Sequence, residues 1–226
     1  MTQMARFTTP AAPLPRRRLL LAAAGAAWLL HPLSALGAAT ATATATAPAA
    51  EAERFIAALG ERTVRVLDRP GSDQAGRARG MSELLDQAVD LEVVSRLVLG
   101  RHWRAASEAQ RREYVSLFRA YILATLGQRF SYYTGSERFE ITGSRDAGGE
   151  DTLVNSRIVY TGYPPTHIDW RVRRGGERLM IVDIVAEGVS LLVTNRSEFD
   201  SIVNRGGMDG LLKELRTRRA PAATPA

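Results

Sequence analysis

The spacing of apolar residues changes once along this chain, and that change restricts the fold more than any other feature. Before Gly135, apolar residues recur every three or four positions, which is typical of helices that pack on one side. After Gly135 they alternate with polar residues, as in strands with one solvated face. Glycine-rich or proline-rich turns at residues 148–149, 162–165 and 175–176 separate these stretches. The sequence therefore predicts an α+β fold in which N-terminal helices precede a curved antiparallel sheet of about four strands.

The predicted helices have recognisable ends. Ser107 and Gln110 form a capping-box pattern at the start of the longest helix. The fourth strand, residues 179–185, is apolar on both faces, and Gly188 is predicted to turn the chain sharply from it into a C-terminal helix. A last short helix from Met208 to Leu215 follows two glycines.

The first fifty residues differ from the rest because they contain no acidic residue. Three arginines, residues 16–18, precede an apolar run of about twelve residues, which is too short to span a membrane and is typical of an export signal. The pattern is twin-arginine-like, although Pro15 replaces the usual Ser or Thr, so a Sec-type signal stays open. We predict a cleaved export signal at residues 1–39, a disordered Ala/Thr leader at 40–50, one folded domain at 51–219 and a disordered tail at 220–226.

Charge and cysteine content narrow the function classes. The net charge of +6 falls to about +2 without the four arginines of the signal, which weakens a nucleic-acid function. The chain contains no cysteine, which excludes disulfides and a lipoprotein anchor. Together with the signal, this composition predicts a soluble periplasmic protein. No residue spacing resembles a metal or cofactor site.

Three carboxylates and one serine are candidate catalytic groups. Ser190 follows a strand and Gly188, but the second glycine of a nucleophile elbow is missing, so Ser190 is predicted to cap a helix or to contact the polar end of a bound ligand. Asp169, Asp183 and Glu187 lie near strand ends, where acid/base pairs occur in some hydrolases. We expect Asp169 to pair with Arg171 and Asp183 to fix a turn or helix end, which leaves no predicted catalytic residue.

Many apolar and aromatic side chains converge from different elements, which suits either an ordinary core or an apolar cavity inside a curved sheet closed by a helix. The candidates for lining an apolar cavity come from the long helix, the second and third strands and the C-terminal helix: Phe118, Tyr121, Ile122, Leu126, Ile158, Tyr160, Ile168, Trp170, Val189 and Leu192.

Three blocks of sequence, at 98–122 ("VLGRHWRAASEAQRREYVSLFRAYI"), 164–174 ("PPTHIDWRVRR") and 182–215 ("VDIVAEGVSLLVTNRSEFDSIVNRGGMDGLLKEL"), carry a family resemblance. The chain resembles the MlaC, or toluene-tolerance, family of periplasmic phospholipid carriers that maintain outer-membrane lipid asymmetry. A hopanoid-associated branch of that family, HpnM, is similar over the same blocks.

The resemblance implies a carrier that buries phospholipid acyl chains and exchanges them with two partners, an outer-membrane lipoprotein complex and an inner-membrane ABC transporter bearing an MCE-domain ring. Arg171, Arg173 and Arg174 are predicted to be exposed and to guide docking on acidic partners or anionic membrane. A hopanoid carrier, a periplasmic enzyme with a cone-shaped sheet and an interaction module with a solid core are the alternatives.

Overall fold

The computed structural model describes residues 47–71 and 73–219. The predicted export signal, most of the predicted leader and the predicted tail lie outside these residues. The helices and strands are, in chain order, α1 (Ala47–Leu67), α2 (Gln74–Ala88), α3 (Leu91–Leu99), α4 (His102–Ala105), α5 (Glu108–Phe130), β1 (Arg138–Asp146), β2 (Asp151–Tyr160), β3 (Tyr163–Gly175), β4 (Arg178–Ala186), β5 (Val189–Ser190) and α6 (Leu191–Arg219).

The predicted α+β class is confirmed, with one strand more than expected. The sheet is antiparallel throughout and its strand order is β1-β2-β3-β4-β5. The chain does not turn directly from Gly188 into a helix, because Val189 pairs with Ala186 before the helix starts. Glu187 and Gly188 have φ values of 48° and 79°, as the two central residues of a type I′ hairpin turn require. This turn adds the short strand β5.

The predicted turn at Tyr163-Pro164-Pro165 is wrong, because these residues begin β3. Tyr160 pairs with Tyr163, so the β2–β3 hairpin closes on Thr161 and Gly162, whose φ is 80°. The two prolines are tolerated because pairing with β4 starts only at Ile168. Along the first residues of β3 the side away from β2 therefore has no ladder that a missing N–H would break.

Helix boundaries also differ from the predictions at one end of the chain. The first helix begins at Ala47, four residues before the predicted start of the fold, and Ala49 is already buried.

The predicted break before Met208 is present, since Gly207 has φ 65° and ψ −173° inside α6. The capping box of α5 is confirmed: the Ser107 side chain accepts from the Gln110 amide, and the Gln110 side chain accepts from the Ser107 amide.

Two apolar clusters hold the fold together. The helical cluster joins α3, the start of α5 and α6, and its buried members are Val98, Leu99, Ala106, Tyr114, Leu117, Phe118, Phe199, Met208, Leu211, Leu212 and Leu215. The sheet cluster packs α1 and α2 on one face of the sheet, and its buried members are Ala52, Ile56, Leu59, Leu84, Ala88, Val154, Val172 and Ile181. Each cluster buries apolar side chains, which is the main driving force for folding.

A charged contact connects the helices of the two clusters. Arg119 of α5 donates to the Asp86 carboxylate of α2 at 2.9 and 2.6 Å, and its guanidinium also bonds Ser82. The hydrogen bond between Arg119 and Asp86 lowers the pKa of Asp86 and raises the pKa of Arg119. Because both side chains are partly exposed, the contact sets the position of α2 on α5 more than it adds stability.

Gly60 in α1 has a close neighbour in the sheet, and this predicts a large effect of adding one methyl group. A Cβ at Gly60 would lie 2.6 Å from Cδ1 of Phe139 in β1. We expect Gly60→Ala to lower the free energy of unfolding by about 1–3 kcal/mol, because the Phe139 ring or α1 must shift.

Gly127 of α5 is the matched control, since a Cβ there meets nothing within 4 Å. Gly127→Ala should raise the free energy of unfolding by up to about 1 kcal/mol through helix propensity alone. Urea denaturation of both variants tests this, and equal stabilisation by both would contradict the close approach of α1 to β1.

Candidate lipid-binding site

One face of the sheet, here called the inner face, packs on α1 and α2. Alternation along β2 and β3 places Val154, Ile158, Ile168 and Val172 on this face, since Val154 pairs opposite Trp170 and Ser156 opposite Ile168. Val154 and Val172 are 0% and 1% exposed beneath the helices. Ile158 and Ile168 lie closer to the β2–β3 hairpin. Both are only half-buried and belong to neither cluster. The inner face thus changes from fully covered to partly open toward the β2–β3 hairpin.

Small neighbours flank Ile168 on both sides. Its partner on β2 is Ser156 and its partner on β4 is Ala186. Side chains directly opposite each other in a sheet lie about 4.5–5.5 Å apart at Cβ, so small partners leave room above them. Ile168 is consequently an apolar point of the inner face that lies between two small side chains. Tyr160, at the end of β2, is half-buried on the same face.

Trp170 marks the border between the covered and the open part of the inner face. Its indole N–H donates to Ser156 Oγ at 2.8 Å, and Ser156 Oγ donates to the carbonyl oxygen of Ile168 at 2.8 Å. Its ring packs edge-on against Phe139 at 6.2 Å between centroids. Ser156 is buried, so both of its hydrogen bonds are needed to satisfy it. These contacts fix the orientation of the indole against the open part.

The candidates on helices and at the start of α6 lie in different surroundings. Phe118 is 2% exposed inside the helical cluster, stacked on Tyr114 with centroids 5.6 Å apart. Three half-buried candidates pack on the outside of that cluster: Tyr121, Ile122 and Leu192. Leu126 is half-buried outside both clusters, and Val189 is 56% exposed. A lipid-lining role for these residues stays a prediction, and the partly open face contains Ile158, Tyr160, Ile168 and Trp170.

The hydroxyl of Ser190 caps α6, as predicted. Ser190 Oγ accepts from the Val193 amide at 3.0 Å and donates to Asp183 Oδ2 at 2.6 Å. The other oxygen of Asp183 accepts from the Leu192 amide at 3.0 Å, so Asp183 fixes the helix end, also as predicted. Both groups stabilise the first turn of α6, and neither is directed at a histidine.

The predicted pairing of Asp169 with Arg171 is wrong. Asp169 accepts from the Asn155 side chain at 2.8 Å, while Arg171 donates to Asp151 at 2.8 Å. Arg173 donates to the same carboxylate at 2.6 and 2.9 Å, so two guanidiniums hold Asp151, which is 5% exposed. Hydrogen bonding to Arg173 is the main cause that lowers the pKa of Asp151, and the Asp151 bond raises the pKa of Arg173.

The three predicted docking arginines are therefore not free. Arg171 and Arg173 are tied to Asp151, and Arg174 pairs with Glu51 of α1. Their side chains are 43%, 38% and 36% exposed, respectively, so they reach solvent only in part. These pairs join β3 to the start of β2 and to α1. A docking role for them stays a prediction.

Glu187 is held by the neighbouring strand. Its carboxylate accepts from the His167 amide at 2.5 Å, and the His167 imidazole lies 3.9 Å away. The His167 side chain is 63% exposed. Among the residues that the structure describes, no group of three His, Asp or Glu side chains is placed to bind a metal ion.

Two surface clefts are formed away from the inner face. One, of about 390 Å³, is lined by residues of α6 on both sides of the Gly207 kink, including Glu198, Glu214 and Arg218. The other, of about 350 Å³, lies between the α1–α2 loop and the residues after α5 and includes Asp68 and Tyr133. None of the ten candidate lipid-lining residues borders either cleft.

The sequence profile of the MlaC protein family matches residues 44–217. The chain belongs to the MlaC family. A similar relative is the intermembrane phospholipid transport system binding protein MlaC of Haemophilus influenzae (strain ATCC 51907 / DSM 11121 / KW20 / Rd), 25% identical over 132 residues. That match covers 56% of this chain and 61% of the relative.

A solved structure also resembles this chain. The phospholipid-binding protein from Ralstonia solanacearum, determined in complex with a phospholipid, superposes with a TM-score of 0.66 at 21% identity. The superposition covers 74% of this chain and 96% of that protein, and it shows that the fold is shared. Within residues 47–71 and 73–219, no helix is both long and apolar enough to cross a bilayer.

Proposed function

We propose that this MlaC-family protein is a periplasmic carrier that binds phospholipid through its acyl chains and moves it between the two membranes of the cell envelope. The observation that carries the proposal is the partly open inner face of the sheet around Ile168. The family membership supports it, as do the phospholipid-transport name of the Haemophilus relative and the phospholipid bound to the Ralstonia protein.

Physical chemistry explains why such a carrier needs an apolar face and no catalytic group. Each buried CH₂ contributes about 0.8 kcal/mol, so two acyl chains of about 15 methylenes each disfavour entry into water by on the order of 20 kcal/mol. A carrier that covers the chains removes this cost, while the charged head group stays in solvent. In this proposal Ile158, Tyr160, Ile168 and Trp170 contact the acyl chains.

The exchange partners belong to the same proposal. A carrier must receive lipid at one membrane and release it at the other, and the family resemblance assigns these steps to an outer-membrane lipoprotein complex and an inner-membrane MCE-domain ABC transporter. The export signal predicted at residues 1–39 is the proposed route to the periplasm, with the folded domain remaining after cleavage.

The direct test is the lipid that leaves with the protein. The protein is purified from the periplasmic fraction without detergent, its N-terminus is determined by intact mass, and an organic extract is analysed by mass spectrometry. We expect about one phospholipid per chain and cleavage between residues 36 and 40. An unrelated exported protein from the same cells is the control for carried-over membrane.

Three results would contradict parts of this proposal. A polycyclic hopanoid in the extract would replace phospholipid as the ligand. Protein that contains no more lipid than the control would exclude the carrier function. A retained Met1 would exclude the cleaved signal.

A further inference from the structure

A group of arginines surrounds Trp103 where α3, α4, α5 and α6 meet. The guanidinium carbons of Arg96 and Arg111 lie 5.8 and 5.6 Å from the centroid of the indole ring, within the range of cation–π contacts. We call this region the arginine surface and define it by five residues: Arg96, Arg101, Arg104, Arg111 and Arg196. All five are exposed except Arg111, which is half-buried.

Backbone carbonyl groups, rather than carboxylates, hold two of these arginines. Arg111 donates to the carbonyl oxygens of Trp103 and Arg104 at 2.8 and 3.1 Å. Arg196 donates to the carbonyl oxygen of Leu97 at 2.9 Å, near the end of α3. Carbonyl groups at helix ends attract cations but carry only partial negative charge. The guanidiniums are thus positioned while their full positive charge is kept.

Few carboxylates offset the charge of the arginine surface. In the part of the chain that the structure describes, no ion pair involves Arg96, Arg104, Arg111 or Arg196. The exception is Arg101, which lies 2.8 Å from Asp200, a carboxylate also bonded by His102.

Two other acidic residues near the arginine surface form no ion pair with it within the described residues. Glu108 at the start of α5 pairs with Arg112, and Glu92 lies in the first turn of α3, one turn before Arg96. The arginines first predicted to guide docking, in β3, differ because each is paired with a carboxylate. In the part of the molecule that the structure describes, the arginine surface therefore contains four arginines without an ion pair, whereas all three arginines of β3 are paired.

We propose that the arginine surface binds the anionic head-group layer of a phospholipid bilayer. Guanidinium groups match phosphate oxygens in geometry and bind them through paired hydrogen bonds. A head-group layer offers phosphates at adjustable spacing, so no complementary shape is required. This contact goes beyond lipid carrying, because it uses helix ends that contain none of the inner-face residues.

The exposed apolar residues favour a bilayer over a protein partner. Stable protein interfaces usually depend on a few large apolar or aromatic anchors at their centre. Within the described ranges, the large apolar residues that are clearly exposed are Val64, Tyr132, Tyr163, Val189 and Val193. Of these, only Val193 belongs to a helix of the arginine surface, one turn before Arg196 in α6, and Trp103 at the centre is half-buried, so the surface offers mainly charge. Adsorption to anionic lipid needs only charge. Each arginine near the membrane surface raises the affinity about fivefold.

The test compares charge reversals at two places on the surface, one near the start of α5 and one near its end. Lipid-free protein from the periplasm is sedimented with vesicles of phosphatidylglycerol and phosphatidylcholine, or with phosphatidylcholine alone, at low and high salt. The test variant is Arg96→Glu with Arg104→Glu. The control is Arg77→Glu with Arg129→Glu, which makes the same charge change at exposed sites. Arg129 is in the last turn of α5, and Arg77 borders the cleft beside the residues that follow α5.

We expect wild type and the control variant to bind the phosphatidylglycerol vesicles at low salt and to be released by high salt. The test variant should bind at least about thirtyfold more weakly. All proteins compared have the same N-terminus, so any arginines remaining there contribute equally. Arg104 is exposed, and its side chain takes part in no ion pair within the described residues. The single variant Arg104→Glu, expected to bind about fivefold more weakly, therefore serves if the double variant melts early.

Three results would overturn the proposal. Equal losses in the test and control variants would show that net charge, and not this surface, determines binding. Wild-type protein that stays in solution with phosphatidylglycerol vesicles would exclude the bilayer contact. Normal vesicle binding by the test variant, combined with lost binding to immobilised polyglutamate, would assign the surface to an acidic protein instead. Because the protein is lipid-free, none of these results depends on whether it carries phospholipid.

Discussion

Ile168→Trp should remove nearly all of the phospholipid that co-purifies with the protein while leaving the fold intact. Ile168 is half-buried on the inner face between Ser156 and Ala186, where an indole can lie over two small neighbours. The added ring would occupy the space proposed for the acyl chains. Lipid content should fall from about one per chain to less than about a tenth of that value, because the ring excludes many methylenes and each lost methylene contact weakens binding about fourfold. Mass spectrometry and thermal melting are measured on the same sample, with lipid-stripped wild type as the reference for stability.

Val172→Trp is the matched control on the same strand and the same face. Val172 is 1% exposed in the sheet cluster, so an indole there must displace α1 or α2. Overpacking of a closed core costs about 1–3 kcal/mol or more, and this variant should melt well below stripped wild type. If Ile168→Trp melts as low as Val172→Trp while its folded fraction retains normal lipid, Ile168 is ordinary core and the proposed site is wrong.

The change of apolar period after Gly135 predicted the α+β fold because it depends only on local geometry. A helix repeats every 3.6 residues and a strand every 2, so one buried face shows its element type directly. Local signals at Ser107 and Ser190 predicted their caps for the same reason, since each hydroxyl bonds an amide three residues later.

Features that depend on strand register were not predictable. Arg171 stands two residues from Asp169 on one strand, but its partner is Asp151 at the start of β2, which only the β2–β3 pairing brings near. Strand β5 depends on two successive positive φ angles, and Glu187 gives no sequence signal for one of them. The arginine surface could not be predicted because its residues come from four helices and the α3–α4 loop, which only the tertiary fold brings together.

The distinction between core and open surface was also beyond the sequence. Phe118 and Ile168 both occupy apolar positions at the expected spacing, yet one is enclosed by α5 and α6 and the other is only half-covered. Periodicity shows which face of an element is apolar, but what covers that face is decided by other elements. The candidate site could thus be predicted as a set of apolar residues, without the division into enclosed and accessible members.

Phe199→Ala should lower the free energy of unfolding by about 3–5 kcal/mol, a large part of the 5–15 kcal/mol typical of a domain. Phe199 is 0% exposed in the first half of α6, and its ring packs edge-on against Tyr114, Phe118 and Tyr121 at 6.2, 5.7 and 6.2 Å. Removing the ring deletes the contact common to these aromatics and leaves a cavity that the two helices cannot fully close. Urea denaturation of lipid-free protein measures the loss.

Val193→Ala on the same helix is the control, because Val193 is 60% exposed and its replacement should change the free energy of unfolding by less than about 0.5 kcal/mol. The folded fraction of Phe199→Ala should still contain wild-type amounts of lipid, because the helical cluster is closed and the open inner face lies on the sheet. A loss of lipid with a destabilisation below about 1 kcal/mol would contradict this assignment. Phe199 and its neighbour Phe118 would then line the lipid space, and the partly open region of the sheet would be only one wall of the site.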